Sequence, residues 1–150
     1  MATPPDAEQR SRLENLFPLL ARTQFAIRGP RARYNCIAWA VGNTTDPWWP
    51  DRFSYWPVRR FGISLEVFTA AFDAVGFQPC TDSKFEPAFD KVALYTLNGR
   101  PTHAARIESD ARWTSKIGVL ELIEHEPEGL NGLEYGMPTH FFRRPVKPTA

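Results

Sequence analysis

Residues 91–118 read KVALYTLNGRPTHAARIESDARWTSKIG, and this stretch decides the fold class. KVALYTL, THAARIE and RWTSKIG are short strand-like runs separated by NGRP and SDA. The Asn98-Gly99 pair is a hairpin signal, because the favoured two-residue turn needs positive φ at both positions. THFFRRP (139–145) reads as a further strand, and LELIEHEPEGLNGLEYG (120–136) as half strand and half loop.

Upstream, the apolar period is helical. SRLENLFPLLA (11–21) places Leu13, Leu16, Phe17 and Leu20 at helical spacing. Ser11 is its expected N-cap, with Glu14 completing a capping box and Pro18 ending or kinking the helix. RGPRARY (28–34) is a turn-rich connector, and NCIAWAVG (35–42) a short apolar helix closed by Gly42. SLEVFTAAFDAVGF (64–77) is the clearest helix, with Ser64 as N-cap, Leu65, Phe68, Ala71, Phe72 and Val75 as the buried stripe, and Gly76 as the stop. Helices followed by an antiparallel meander imply an α+β fold. Residues 1–10 are polar and proline-bearing and read as a flexible tail, leaving residues 11–150 as one domain.

With 150 residues, one core is expected, burying roughly 68–70% of the unfolded chain's surface. Fourteen prolines and 13% aromatic residues point to long ordered loops on that core. The segment NTTDPWWPDRFSYWPVRRFG (43–62) is such a loop and holds three of the five tryptophans. Net charge is +1, and the six arginines among residues 1–35 are too few for the basic stripe of a dedicated nucleic-acid binder. The start has no apolar core of an export signal and no stretch long enough to span a membrane. Cys36 and Cys80 are therefore read as reduced thiols of a cytoplasmic protein, with signal-independent secretion left open. No two His or Cys residues stand at metal-ligand spacing, so neither a metal nor another cofactor is expected.

Cys36 opens a helix, where backbone N–H groups and the helix dipole favour a thiolate and a developing oxyanion. His103, on a strand, is the candidate base. The alternative for Cys36 is a small buried apolar residue. A three-residue Ser109–Ala111 loop would put Trp113, Ser115 and Ile117 on the face carrying His103, Ala105 and Ile107. Ser115 then orients the imidazole; a two-residue loop brings Lys116 there instead. His125, among four acids, reads as a surface residue or as an alternative third member, and His140 as structural. Asn35 is either a helix cap or an oxyanion donor. Tyr34, Trp48, Trp49 and Trp56 either wall a substrate groove or pack the loop, and Tyr55 belongs with them.

YNCIAWAVG, KVALY, PTHAAR and WTSKIG resemble the compact papain-like cysteine peptidases and amidases of the NlpC and CHAP type. Over roughly residues 34–144, the same string with the Trp-rich loop, IEH and LEYG resembles a bacterial domain family of unknown function. The papain-like resemblance implies N-terminal helices, one carrying Cys36, packed on a small antiparallel sheet. It carries Cys36 to the nucleophile position and His103 to the base position. Where CHAP-like enzymes place Glu or Asn, this chain offers Ser115 or Lys116. The expected activity is a thiol hydrolase cleaving an amide or isopeptide bond in a peptide, glycopeptide or protein. The rival expectation is a non-catalytic module, including an immunity-type protein, that binds a peptide, glycan or protein partner through the Trp-rich loop.

Overall fold

The computed structural model describes residues 2–109 and 111–147. In chain order the elements are α1 (Ala7–Leu16), a 3-10 turn (Pro18–Ala21), β1 (Phe25–Gly29), α2 (Cys36–Ala40), α3 (Leu65–Ala74), β2 (Gln78–Cys80), β3 (Phe89–Leu97), β4 (Arg100–Ser109), β5 (Arg112–Lys116), β6 (Leu122–His125) and β7 (Met137–Pro145). The strands form a seven-stranded sheet in the order β1-β6-β5-β4-β3-β7-β2, with every neighbouring pair antiparallel. The fold is α+β, as the change of period predicts.

The centre of the sheet is the predicted meander. Asn98 and Gly99 turn the chain between β3 and β4 with φ of 53° and 78°, and Leu97 pairs with Arg100 across that turn. Between β4 and β5, Ser109 pairs with Arg112, and an irregularity at Glu108 restores Ile107 opposite Trp113 and Arg106 opposite Thr114. Asp110, in the middle of the expected Ser109–Ala111 loop, lies outside the described residues. Beyond the irregularity the register is the one expected, with Ser115 on the face of His103 and Ala105.

The N-terminal reading is corrected. The Asp6 carboxylate accepts the Gln9 N–H at 2.8 Å while Gln9 Oε1 accepts the Asp6 N–H at 3.0 Å. This capping box starts α1 at Ala7, so Ser11 lies inside the helix rather than at its cap. Thr3 exchanges two backbone hydrogen bonds with Ile27, and residues 7–10 of the expected tail lie in α1. The capping of α3 is as predicted, with Ser64 Oγ accepting the Val67 N–H.

Strand alternation splits the core in two. Val92, Leu94, Ala104 and Phe142 face Ile37 of α2 and Phe68 and Phe72 of α3. Ala93, Tyr95, Ala105, Ile107, Trp113 and Ile123 face Leu13, Phe17 and Leu20. The central strands are covered on both sides, which places adjacent residues of β4 in different surroundings.

Candidate active site

Asn35 builds the entrance to α2. Its Oδ1 accepts the N–H of Ala38 at 3.2 Å and that of Trp48 at 2.9 Å, and its Nδ2 donates to the Trp48 carbonyl at 2.8 Å. The side chain thus caps the helix and clamps the Trp-rich loop with its Oδ1 and one of its two Nδ2 hydrogens. Cys36 follows as a free thiol, only 5% exposed. Burial pushes the thiol up to about 11, although the N–H groups of Ala104, Ile37 and Cys36 and the Lys116 ammonium all favour the thiolate. Desolvation wins because the sulfur is packed among apolar side chains.

His103 leaves β4 one residue before Ala104. Alternation turns Ala104 toward α2 and sends the His103 ring to Tyr95, Ser115 and Tyr135. Its Nε2 lies 2.9 Å from Ser115 Oγ, and Tyr135 stacks on the ring at 4.1 Å with planes 9° apart. Nδ1 is buried and has no hydrogen-bond partner. The expected Cys36–His103 hydrogen bond is therefore not formed: the sulfur meets the Ala104 N–H instead. Tyr135 belongs to the His103 side, where burial chiefly pushes its hydroxyl up.

Ser115 Oγ also meets His125 Nε2 at 2.7 Å, and His125 Nδ1 lies 2.9 Å from the Glu126 carbonyl. Reading His125 as a surface residue is corrected. On β6, Glu124 turns outward to Arg28 and Arg112, while His125 turns inward opposite Phe25 and Trp113 and is 2% exposed. Burial lowers His103 well below the usual histidine value, with a charge on His125 adding to it, and lowers His125 to about 4. Both rings are neutral near pH 7.

Lys116 takes no part in this chain. Its Nζ donates to the carbonyls of Ala32 at 2.7 Å, Tyr34 at 2.8 Å and Gly118 at 2.8 Å, and it lies 4.7 Å from the Tyr34 ring centroid. Burial lowers it to about 8 against the pull of Cys36 and Glu121. The side chain pins the connector that enters α2. Tyr34 is partly buried beside Trp39, and burial raises its hydroxyl.

The tryptophans turn inward. Trp49 and Trp56 meet the Phe68 ring edge-on at 5.4 and 5.1 Å, and Trp48 is buried beside Tyr55 at 4.9 Å. The loop instead exposes Phe53, Tyr55 and Phe61. Of these, Phe53 and Phe61 carried no signal in the sequence beyond their place in the loop. A cleft of about 1050 Å³ opens on His125 rather than on Cys36, between the N-terminal segment and Arg22, Arg112 and Glu124. Among the described residues, no three His, Cys, Asp or Glu side chains gather as metal ligands would, and no helix is long and apolar enough to cross a membrane.

Comparison with curated proteins and with solved structures gives no match. Residues 26–143, from within β1 to within β7, match the family model described as Domain of unknown function (DUF7689), and the chain belongs to that family.

Proposed function

We propose that the domain is a thiol acyl hydrolase of papain-like, NlpC/CHAP-type architecture, with Cys36 as nucleophile, His103 as base and Ser115 as the group that orients the base. The observation that carries this reading is the His103 ring, anchored through Nε2 on Ser115 with Nδ1 left unpaired, one residue from the Ala104 N–H that the sulfur contacts. Base and nucleophile start neutral, so the proton leaves sulfur as sulfur attacks the acyl carbon. The Cys36–His103 hydrogen bond is not formed in this structure, so the reading requires sulfur and ring to close on one another when substrate binds. This reading assigns the N–H groups of Cys36 and Ile37, at the start of α2, to the oxyanion. Tyr135, stacked on His103, and the Trp-rich loop beside α2 set access to the site. Peptides or other acylated amines are the substrate class, and two free thiols suit a reducing compartment such as the cytoplasm.

Reaction with 4-nitrophenyl acetate in the Cys80→Ala protein tests the reading. Mass spectrometry is expected to find acetyl on Cys36, with nitrophenolate release slowed roughly a hundredfold in His103→Ala. A folded protein whose Cys36 stays unmodified, or reacts equally fast without His103, overturns it. A second reading would then stand, because the loop exposes Phe53, Tyr55 and Phe61 beside Arg52 and Arg59. Among the described residues neither arginine has a carboxylate partner. That surface suits a non-catalytic module that docks an acidic peptide or protein.

A further inference from the structure

We propose that His125 is a positioning residue which, through Ser115, determines where His103 carries its proton. This inference rests on the thiol reading of Cys36. It starts from a group whose role is beyond choice: the Glu126 carbonyl can only accept a hydrogen bond, so the His125 Nδ1 beside it at 2.9 Å carries the hydrogen. A neutral ring has one N–H, which leaves His125 Nε2 as an acceptor. Ser115 must then donate its single hydroxyl hydrogen to His125 Nε2 across 2.7 Å. Toward His103 the same oxygen can only accept, so His103 Nε2 donates to it across 2.9 Å. The remaining nitrogen, His103 Nδ1, is thereby a bare lone pair, and it is the ring nitrogen that is buried without a partner.

One carbonyl thus sets the state of three side chains in succession. The result is the tautomer a base needs. In the opposite tautomer, Nδ1 would already hold a hydrogen, with no acceptor near it, and could take none from Cys36. In the attack, the Cys36 Sγ–H proton passes to His103 Nδ1 while the S–C bond to the acyl carbon forms. When the C–N bond breaks, that proton goes to the leaving amine. Nε2–H stays on Ser115 throughout, and His125 loses and gains nothing. Its contribution is the orientation of the Ser115 hydroxyl, so it acts on the reaction only through its neighbours.

Long-range ¹H–¹⁵N spectra of protein labelled in histidine nitrogen read the tautomers directly. The expected wild-type result is His103 protonated on Nε2 and His125 protonated on Nδ1. In His125→Phe, Ser115 is free to donate to His103 Nε2, and His103 is expected to populate its Nδ1–H form beside the Nε2–H form. Acylation of Cys36 is then expected to slow although His103 is still in place. Should that variant fail to fold, Ser115→Ala removes the same constraint and is expected to leave His103 as a mixture of tautomers. Wild-type His103 with its hydrogen on Nδ1, or a folded His125→Phe protein with an unchanged His103, overturns the proposal. Correct tautomers with an unreactive Cys36 would sink the thiol reading alone. Reactive Cys36 with the wrong tautomers would sink the positioning role alone.

Discussion

At Ser115 one hydroxyl meets two imidazoles, and burial rather than charge governs both rings. His125 has a folded-state value of about 4 against 6.5 for a free ring, so between those values the unfolded chain binds the proton that the folded chain refuses. Stability is full above about pH 6.5 and falls as the pH drops toward 4. Each such group weighs up to about 1.4 kcal/mol per pH unit. His103, also lowered, adds to the same slope. Urea unfolding at pH 7, 5.5 and 4.5 is expected to show this loss, and His125→Phe is expected to flatten it. Equal slopes in the two proteins would show that the ring is not held neutral. In the sequence, Ser115 was legible as the partner of His103 because the register follows from apolar alternation. The burial of His125 was not, since its acidic sequence neighbours Glu121, Glu124, Glu126 and Glu128 say nothing about the strand across from it. Cys36 sits where the helix start predicts, but only packing reveals that desolvation overrides the backbone N–H groups around its sulfur.

At the level of elements, the short α2 is held by its connections more than by its own length. Asn35 caps it through the Ala38 N–H and joins it to the Trp-rich loop with two hydrogen bonds, to both backbone groups of Trp48. Asn35→Ala removes a helix cap and leaves the polar backbone groups of Trp48 unpaired. A loss of about 2–3 kcal/mol is expected in urea unfolding. The freed loop is also expected to be cut faster by trypsin at Arg52, Arg59 and Arg60. Unchanged cleavage with unchanged stability would remove the clamp from the account. The Asn-Gly hairpin and the α3 cap were readable because each is closed by residues a few positions apart. β1 and β2 were not, being short edge strands whose partners are β6 and β7. FAIRG alternates poorly, and the Pro79 within β2 hides its pairing.

Over the whole molecule, one sheet separates two apolar clusters, and the central strands contribute to both through alternate residues. The two halves are therefore expected to unfold together. Phe72 is buried against Phe77 and Phe142, and Phe72→Ala is expected to cost about 3–5 kcal/mol. Tryptophan fluorescence and far-ultraviolet circular dichroism are expected to report one shared transition in wild type and variant. Separated transitions would mean that the clusters fold independently.

The amino-acid sequence by itself determined the class of the fold, the central meander, the start of α2 at Asn35 and Cys36, and the shared face of His103 and Ser115. Each of these rests on period, capping or turn chemistry, which act between residues close along the chain. The tertiary structure alone decided that the tryptophans pack inward, that Asn35 is a clamp, that Lys116 pins the connector into α2, and that His125 completes the buried chain to His103. Those outcomes depend on which strand lies beside which and on how much water is excluded there. Both are set by contacts between residues far apart in sequence, where local pattern carries no information.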